Sequence, residues 1–316
     1  MSRIVTFGEV VSDIYRDEGS SPVEMPFKAR PGGAPANVAV AAARLGAEAA
    51  FVGSVGADLF GDFILRALEA EGVEVGDVRR CEPPTRTSLA FVEIAPDGDR
   101  AFTFYRSDPA ADELLSPEDV SEETLRGASF VNFGSIPLLK DPARSAIHHA
   151  AGLAREMDVP VAFDVNLREH LWPSLNDARN AVDPLLDLSA IVKMGDEELA
   201  PLLGTEDPEE AARILLDRGV SLVLVSLGAK GAFYATAEFS GELPAFTVES
   251  VDATGAGDAF LAATLVHLAD AEWSEKTVRE AVRRGTAAGA LACTGFGAMG
   301  PLPTREELEW FMDGGG

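Results

Sequence analysis

The chain predicts an α/β fold built on one mostly parallel sheet with helices on both faces. Two observations carry that prediction. Short β-prone runs alternate with longer Ala/Leu-rich stretches of helical period, and the alternation persists through both halves of the chain. RIVTFG (3–8), ANVAVAAARLG (36–46), AAFVGSVG (49–56) and FGDFILRALEAEG (60–72) set the pattern. It returns at ASFVNFGS (128–135), VPVAFDVN (159–166), AIVKMG (190–195) and SLVLVSLG (221–228), with helical segments such as PEEAARILLDRG (208–219) between or after them.

Two stretches interrupt the alternation. Residues from about Val10 to Arg30 fit no βα unit, and Thr87 to Arg106 holds two β-prone runs joined by Pro96-Asp97-Gly98-Asp99, a hairpin signal. Together they predict a small β-lobe off the main sheet, at the strand ends where open α/β sheets bind ligands. The whole chain, 1–316, reads as a single domain carrying this lid.

Bulk properties exclude several partners. Acidic residues number 52 against 26 basic ones, for a formal charge of -26, and such a surface repels nucleic-acid phosphates and anionic lipid. Cys81 and Cys293 form no CxxC pair, so neither a disulfide framework nor a zinc site is expected. With no leader pattern at the start and no run of about 18 apolar residues, the expected location is the cytoplasm.

Chemistry concentrates in two glycine-rich segments. In Asp252-Ala253-Thr254-Gly255-Ala256-Gly257-Asp258, glycines precede an apolar helix, AFLAATLVHLA. Backbone N–H groups crowd round an anion there, and the helix adds partial positive charge. Asp258 falls in the first helical turn, where the dipole is expected to keep its carboxylate ionised and able to take a proton from a hydroxyl. The second segment, Arg30-Pro31-Gly32-Gly33-Ala34-Pro35-Ala36-Asn37, also opens a helix, with an amide suited to a polyol. A third string, Gly295-Phe296-Gly297-Ala298-Met299-Gly300, satisfies GxGxxG but lacks a strand before it and a helix after it, so it is no dinucleotide fingerprint. No GxxxxGK[ST] occurs, which excludes a P-loop.

The two glycine segments resemble the paired signatures of the ribokinase-like (PfkB) carbohydrate kinase family, and the resemblance extends over nearly the whole chain. FYRSDPAADELL (104–115), FDVNLREHLW (163–172) and IVKMGDEEL (191–199) resemble its fructokinase branch. The resemblance implies a three-layer α/β/α fold with a β lid and an ATP-dependent sugar kinase, fructose being the expected acceptor. It implies Asp258 as base and Gly255, Ala256 and Gly257 as the anion hole. Asp13, Gly32, Gly33 and Asn37 match sugar-holding positions, with Arg106, Asn166 and Arg168 as further candidates for sugar or phosphate. Ser226, Gly228, Lys230 and Gly231 resemble the turn against ATP, and Thr286 stands where an Asn often lies near adenine. Glu198 matches the acid associated with hydrated Mg²⁺, although Gly195 replaces the usual Asn of that element. Asp252 and Thr254 resemble part of a potassium site, and the lid resembles a homodimer contact. His148, His149, His170 and His267 have no metal-ligand spacing. Phe102, Phe104 and Tyr105 read as packing of a strand in the lid.

The glycine loop is indifferent to the acceptor, so 2-keto-3-deoxygluconate, ribose or a nucleoside compete with fructose. A non-catalytic sugar or nucleotide sensor leaves Asp258 without a purpose, and a nicotinamide oxidoreductase lacks its fingerprint.

Overall fold

The computed structural model describes residues 2–17, 21, 23–94 and 100–314. Nine strands form the main sheet in the spatial order Ser240–Leu243, Ala232–Ala235, Leu222–Ser226, Ile191–Gly195, Val161–Asp164, Phe130–Gly134, Arg3–Phe7, Glu48–Val52 and Val73–Glu74. All neighbours from Leu222–Ser226 to Val73–Glu74 are parallel, and the two strands at the other edge turn back antiparallel.

Period-two alternation sorts the strand side chains into two cores. Ile4, Phe51, Phe130, Ile191 and Leu224 face the helices Ala34–Arg44, Ala256–Leu268 and Glu275–Ala292. Their neighbours Val5, Val131, Val192 and Val225 face Ala143–Glu156, Leu175–Leu186 and Pro208–Asp217. A sheet buried on both faces needs apolar residues at successive positions, which is why these strands read as near-continuous hydrophobic runs. The result is the expected three-layer α/β/α arrangement.

The two interruptions fold into a separate four-stranded sheet, Phe27–Gly32, Val11–Arg16, Leu89–Ile94 and Arg100–Tyr105 in spatial order. Its last two strands pair antiparallel as a hairpin. The expected turn at Pro96-Asp97-Gly98-Asp99 and the side chain of Phe102 lie outside the described residues. A two-stranded sheet, Ser54–Gly56 with Arg79–Cys81, was not foreseen from the pattern. Asp58 caps the helix Leu59–Ala70 and also accepts hydrogen bonds from the Thr87 N–H and hydroxyl, so one carboxylate fixes both a helix start and the approach to the lid hairpin.

The turn joining Leu222–Ser226 to its antiparallel neighbour depends on glycine. Gly231 has φ +114°, and a Cβ there would lie 1.9 Å from the Leu243 carbonyl oxygen. Gly231→Ala combines a disfavoured torsion with a backbone clash and should cost about 2–4 kcal/mol of stability. Urea unfolding checks it; an unchanged midpoint would show that the turn relaxes freely.

Candidate active site

Helix Ala256–Leu268 starts at Gly255, whose φ of +83° is open to glycine and disfavoured for other residues. A Cβ on Gly255 would also stand 2.6 Å from the Ala298 carbonyl oxygen. The loop is therefore backed by the GFGAMG string. Buried Asp252 joins the two pieces, accepting from the Thr254 N–H at 2.7 Å and the Gly297 N–H at 2.8 Å. From behind, the Arg44 guanidinium donates to the carbonyls of Met299 and Leu302.

Asp258 sits in the first turn of this helix, as expected. Asn37, from the second helix with a glycine-rich start, donates Nδ2–H to its Oδ2 at 2.7 Å across 221 residues of chain. The two segments thus meet at one carboxylate. Enclosure by protein and the negative charge of Asp164 push Asp258 up to about 6, against the opposing effects of Asn37, Lys193 and Arg168. The helix dipole does not keep this acid at an ordinary carboxylate value, because dehydration of the carboxylate outweighs it.

Buried oxygens without a hydrogen-bond partner include Asn37 Oδ1, Glu9 Oε2, whose carboxyl feels the charge of Asp258, and Ser12 Oγ on the neighbouring lid strand. Buried polar atoms are rarely left so, and these suit a hydroxylated ligand. Burial pushes Glu9 up to about 8, helped by the charges of Asp112 and Asp258. It therefore carries a proton at neutral pH and is a potential donor. Neither Glu9 nor Ser12 was singled out from sequence, since only the fold shows that they are buried.

The lid contributes Asp13, which is buried, and Gly32, where a Cβ would stand 2.4 Å from Asp13 Oδ2. Gly32 is thus required by the carboxylate beside it. Gly33, at φ +113°, would press a Cβ to 2.5 Å from the Glu9 carbonyl oxygen. Arg106 forms an ion pair with buried Asp112, and Ser88 hydrogen-bonds Asp112 as well. The Arg106 guanidinium is therefore tied to the lid root.

Across the glycine loop, two neighbouring sheet strands supply further charge. Lys193 donates to Asp164 Oδ1 at 2.9 Å and Oδ2 at 3.1 Å, with both side chains buried. Past Asp164 the chain turns through Asn166 and Arg168, at φ +38° and +46°, in a left-handed region that non-glycine residues seldom occupy. Glu198 accepts from the N–H groups of Leu167 at 2.6 Å and Gly195 at 2.7 Å. Each oxygen retains a lone pair, so the residue fits a hydrated cation reached through water better than a directly held one. Burial keeps Glu198 above the usual carboxylate range despite Lys193. No cluster of three or more metal-ligating side chains occurs among the described residues.

The turn Ser226 to Gly231 lies at the end of strand Leu222–Ser226; Lys230 is exposed and Ser226 donates to the Met194 carbonyl. Thr286 is buried, its hydroxyl donating to the Arg283 carbonyl of its own helix.

Comparison with known proteins agrees with this geometry. The pfkB family carbohydrate kinase pattern matches residues 1–305. Probable fructokinase-4 of Arabidopsis thaliana is 40% identical over 319 aligned residues, covering 99% of this chain and 97% of that one. Fructokinase-2 of Solanum lycopersicum is 39% identical, with 99% and 96% covered. A double-mutant fructokinase of Vibrio cholerae O395, solved in its fructose, ADP and potassium ion bound form, is 37% identical with a TM-score of 0.88 and 98% of each chain covered. An aminoimidazole riboside kinase of Salmonella enterica, complexed with aminoimidazole riboside and an ATP analog, is 33% identical with a TM-score of 0.85, covering 98% of this chain and 99% of that one. With a match that takes in both glycine segments and the sheet between them, the chain belongs to the pfkB family of carbohydrate kinases.

Proposed function

We propose that the chain is an ATP-dependent fructokinase, transferring the γ-phosphoryl group to D-fructose to give fructose 6-phosphate. The observation that carries this reading is the Asn37–Asp258 hydrogen bond, which sets a sugar-type amide against a base at the mouth of an anion-binding helix. Fructokinase names recur among the relatives at about 40% identity over nearly the full chain, which supports fructose over the other acceptors.

In this reading the sugar lies between lid and body, held by Asp13, Asn37, Gly32 and Gly33, with Glu9 and Ser12 completing its polar contacts. Arg106, Asn166 and Arg168 border it. Asp258 accepts the hydroxyl proton as the new O–P bond forms and the bond from phosphorus to the β,γ-bridging oxygen breaks, leaving ADP. N–H groups of Gly255, Ala256 and Gly257 receive the charge on the phosphoryl oxygens. Nucleotide lies along Ser226, Gly228, Lys230 and Gly231, near Thr286. Glu198 would hold Mg²⁺ through water, and the ion supplies charge neutralisation of the phosphates. Asp252 and Thr254 would border a potassium ion, as the potassium in the similar Vibrio structure suggests. Closure of the lid excludes water that would otherwise accept the phosphoryl group.

We assign the protein to the cytoplasm as a single kinase domain; no helix of the described residues is long and apolar enough to cross a membrane. Met25, Phe27, Phe104 and Tyr105 expose apolar surface on or beside the lid, which supports a homodimer formed there.

Asp258→Asn should lower kcat by roughly 10²–10⁴-fold with little change in fructose affinity. ADP release in a coupled assay, on a panel of fructose, ribose, 2-keto-3-deoxygluconate and adenosine, measures this and ranks the acceptors; near-normal turnover of the variant removes Asp258 as base. Because the base works only when deprotonated, kcat/KM for fructose should fall as pH drops through about 6, the value to which Asp258 is raised. Asn37→Ala removes a donor that favours the ionised form, so the residual activity should show this acidic limb at higher pH. A limb that stays in place in the variant would assign it to another group.

A further inference from the structure

Lys193 is the one buried basic side chain among the described residues. It interrupts an otherwise apolar central strand, Ile191–Gly195, where a charge without a purpose is costly. Besides its ion pair with Asp164, the ammonium faces the glycine loop. A Cβ on Gly257 would come 2.9 Å from Lys193 Nζ, with no other protein atom so near. The ammonium therefore lies directly beside Gly257, the last residue of the anion loop.

Charge balance points the same way. Asp164, Glu198 and Asp258 all act on Lys193, and although burial alone would lower it, their combined charge holds it above the usual lysine range as a cation. The groups bearing on Asp258 itself are Asp164, Asn37, Lys193 and Arg168, with Glu9 close by. A γ-phosphoryl group entering between Gly257 and Asp258 adds negative charge to a cluster already rich in carboxylates. Arg168 is exposed, so the fixed, dehydrated positive charge on that side is Lys193.

Resting on the kinase reading above, we propose that Lys193 is a further catalytic residue, its ammonium contacting an oxygen of the phosphoryl group as that group passes from nucleotide to acceptor. The transfer is unchanged in its atoms: the acceptor proton goes to Asp258, the new O–P bond forms and the bridging bond to ADP breaks. Lys193 keeps its three protons throughout and offers charge that is better matched to the transition state than to the separated substrates.

The test compares wild type with Lys193→Met and the paired Asp164→Asn/Lys193→Met variant, using whichever acceptor of the panel gives the highest wild-type turnover. A wrong sugar assignment then leaves this test intact. Lys193→Met should lose roughly 10²–10³-fold in kcat, the effect of deleting one preorganised donor to a developing anion, while KM for the acceptor moves by less than about threefold. Its acidic limb should also move to higher pH, since Lys193 favours ionised Asp258. The paired variant leaves no lone buried charge and should fold even where the single one does not, yet remain as impaired in kcat. Recovery of the paired variant to near wild-type turnover would show that Lys193 only neutralises Asp164. Near-normal kcat in Lys193→Met would overturn the inference, as would a wild type silent on every acceptor, which has no phosphoryl group in transit.

Discussion

The hydrogen bond from Asn37 to Asp258 is the contact on which the site depends, because it joins the two helices whose N-termini face the reaction. Its length of 2.7 Å requires helices Ala34–Arg44 and Ala256–Leu268 to lie side by side, and both are lined with alanine and small apolar residues that allow close approach. Neither helix is amphipathic in the ordinary sense. They are buried on most sides, and each carries a polar residue, Asn37 or Asp258, in its first turns.

Burial then sets the electrostatics. Two unit charges 4 Å apart interact by about 4 kcal/mol at an effective dielectric near 20, several times more than in water. Glu9, Asp112, Asp164, Glu198 and Asp258 gather in that regime. The site tolerates most of them by pairing or by protonation. Asp112 is paired with Arg106, Asp164 with Lys193, and Glu9 is neutral by retaining its proton. Asp258 is left between the extremes, ionised at neutral pH but raised enough to be a competent proton acceptor.

Much of this was legible in the sequence, and the boundary has a physical cause. The anion loop is a local device: its conformation is written in Gly255 and Gly257 and in the helix that follows them, so the string alone revealed it. The sheet was legible because doubly buried strands need continuous apolar runs, and the lid because its two stretches failed to fit the βα rhythm. Glu9, Ser12, Asp112, Asp164 and Lys193 went unremarked because their burial arises from elements far apart in the chain. Lys193 did leave a signal, a charge in the middle of IVKMG. GFGAMG was rightly refused as a nucleotide fingerprint, yet only the packing of Ala298 on Gly255 shows why glycines stand there. The raised value of Asp258 was not legible because a helix dipole is visible in sequence and dehydration is not.

The division of labour between body and lid has a consequence for specificity. The groups proposed to handle the phosphoryl, Asp258, Lys193 and the loop from Gly255 to Gly257, are fixed to the main sheet and its helices, where a shift of one would disturb two packed cores. Groups suited to the acceptor lie on or beside the four-stranded lid, an antiparallel and mixed sheet whose outer face carries exposed residues such as Phe27 and Tyr105. Changes there cost little core packing. One transfer apparatus can thus be kept while the lid is refitted to a different hydroxyl-bearing acceptor, which accounts for a fructokinase and a riboside kinase both superposing on this chain at TM-scores of 0.85 or more.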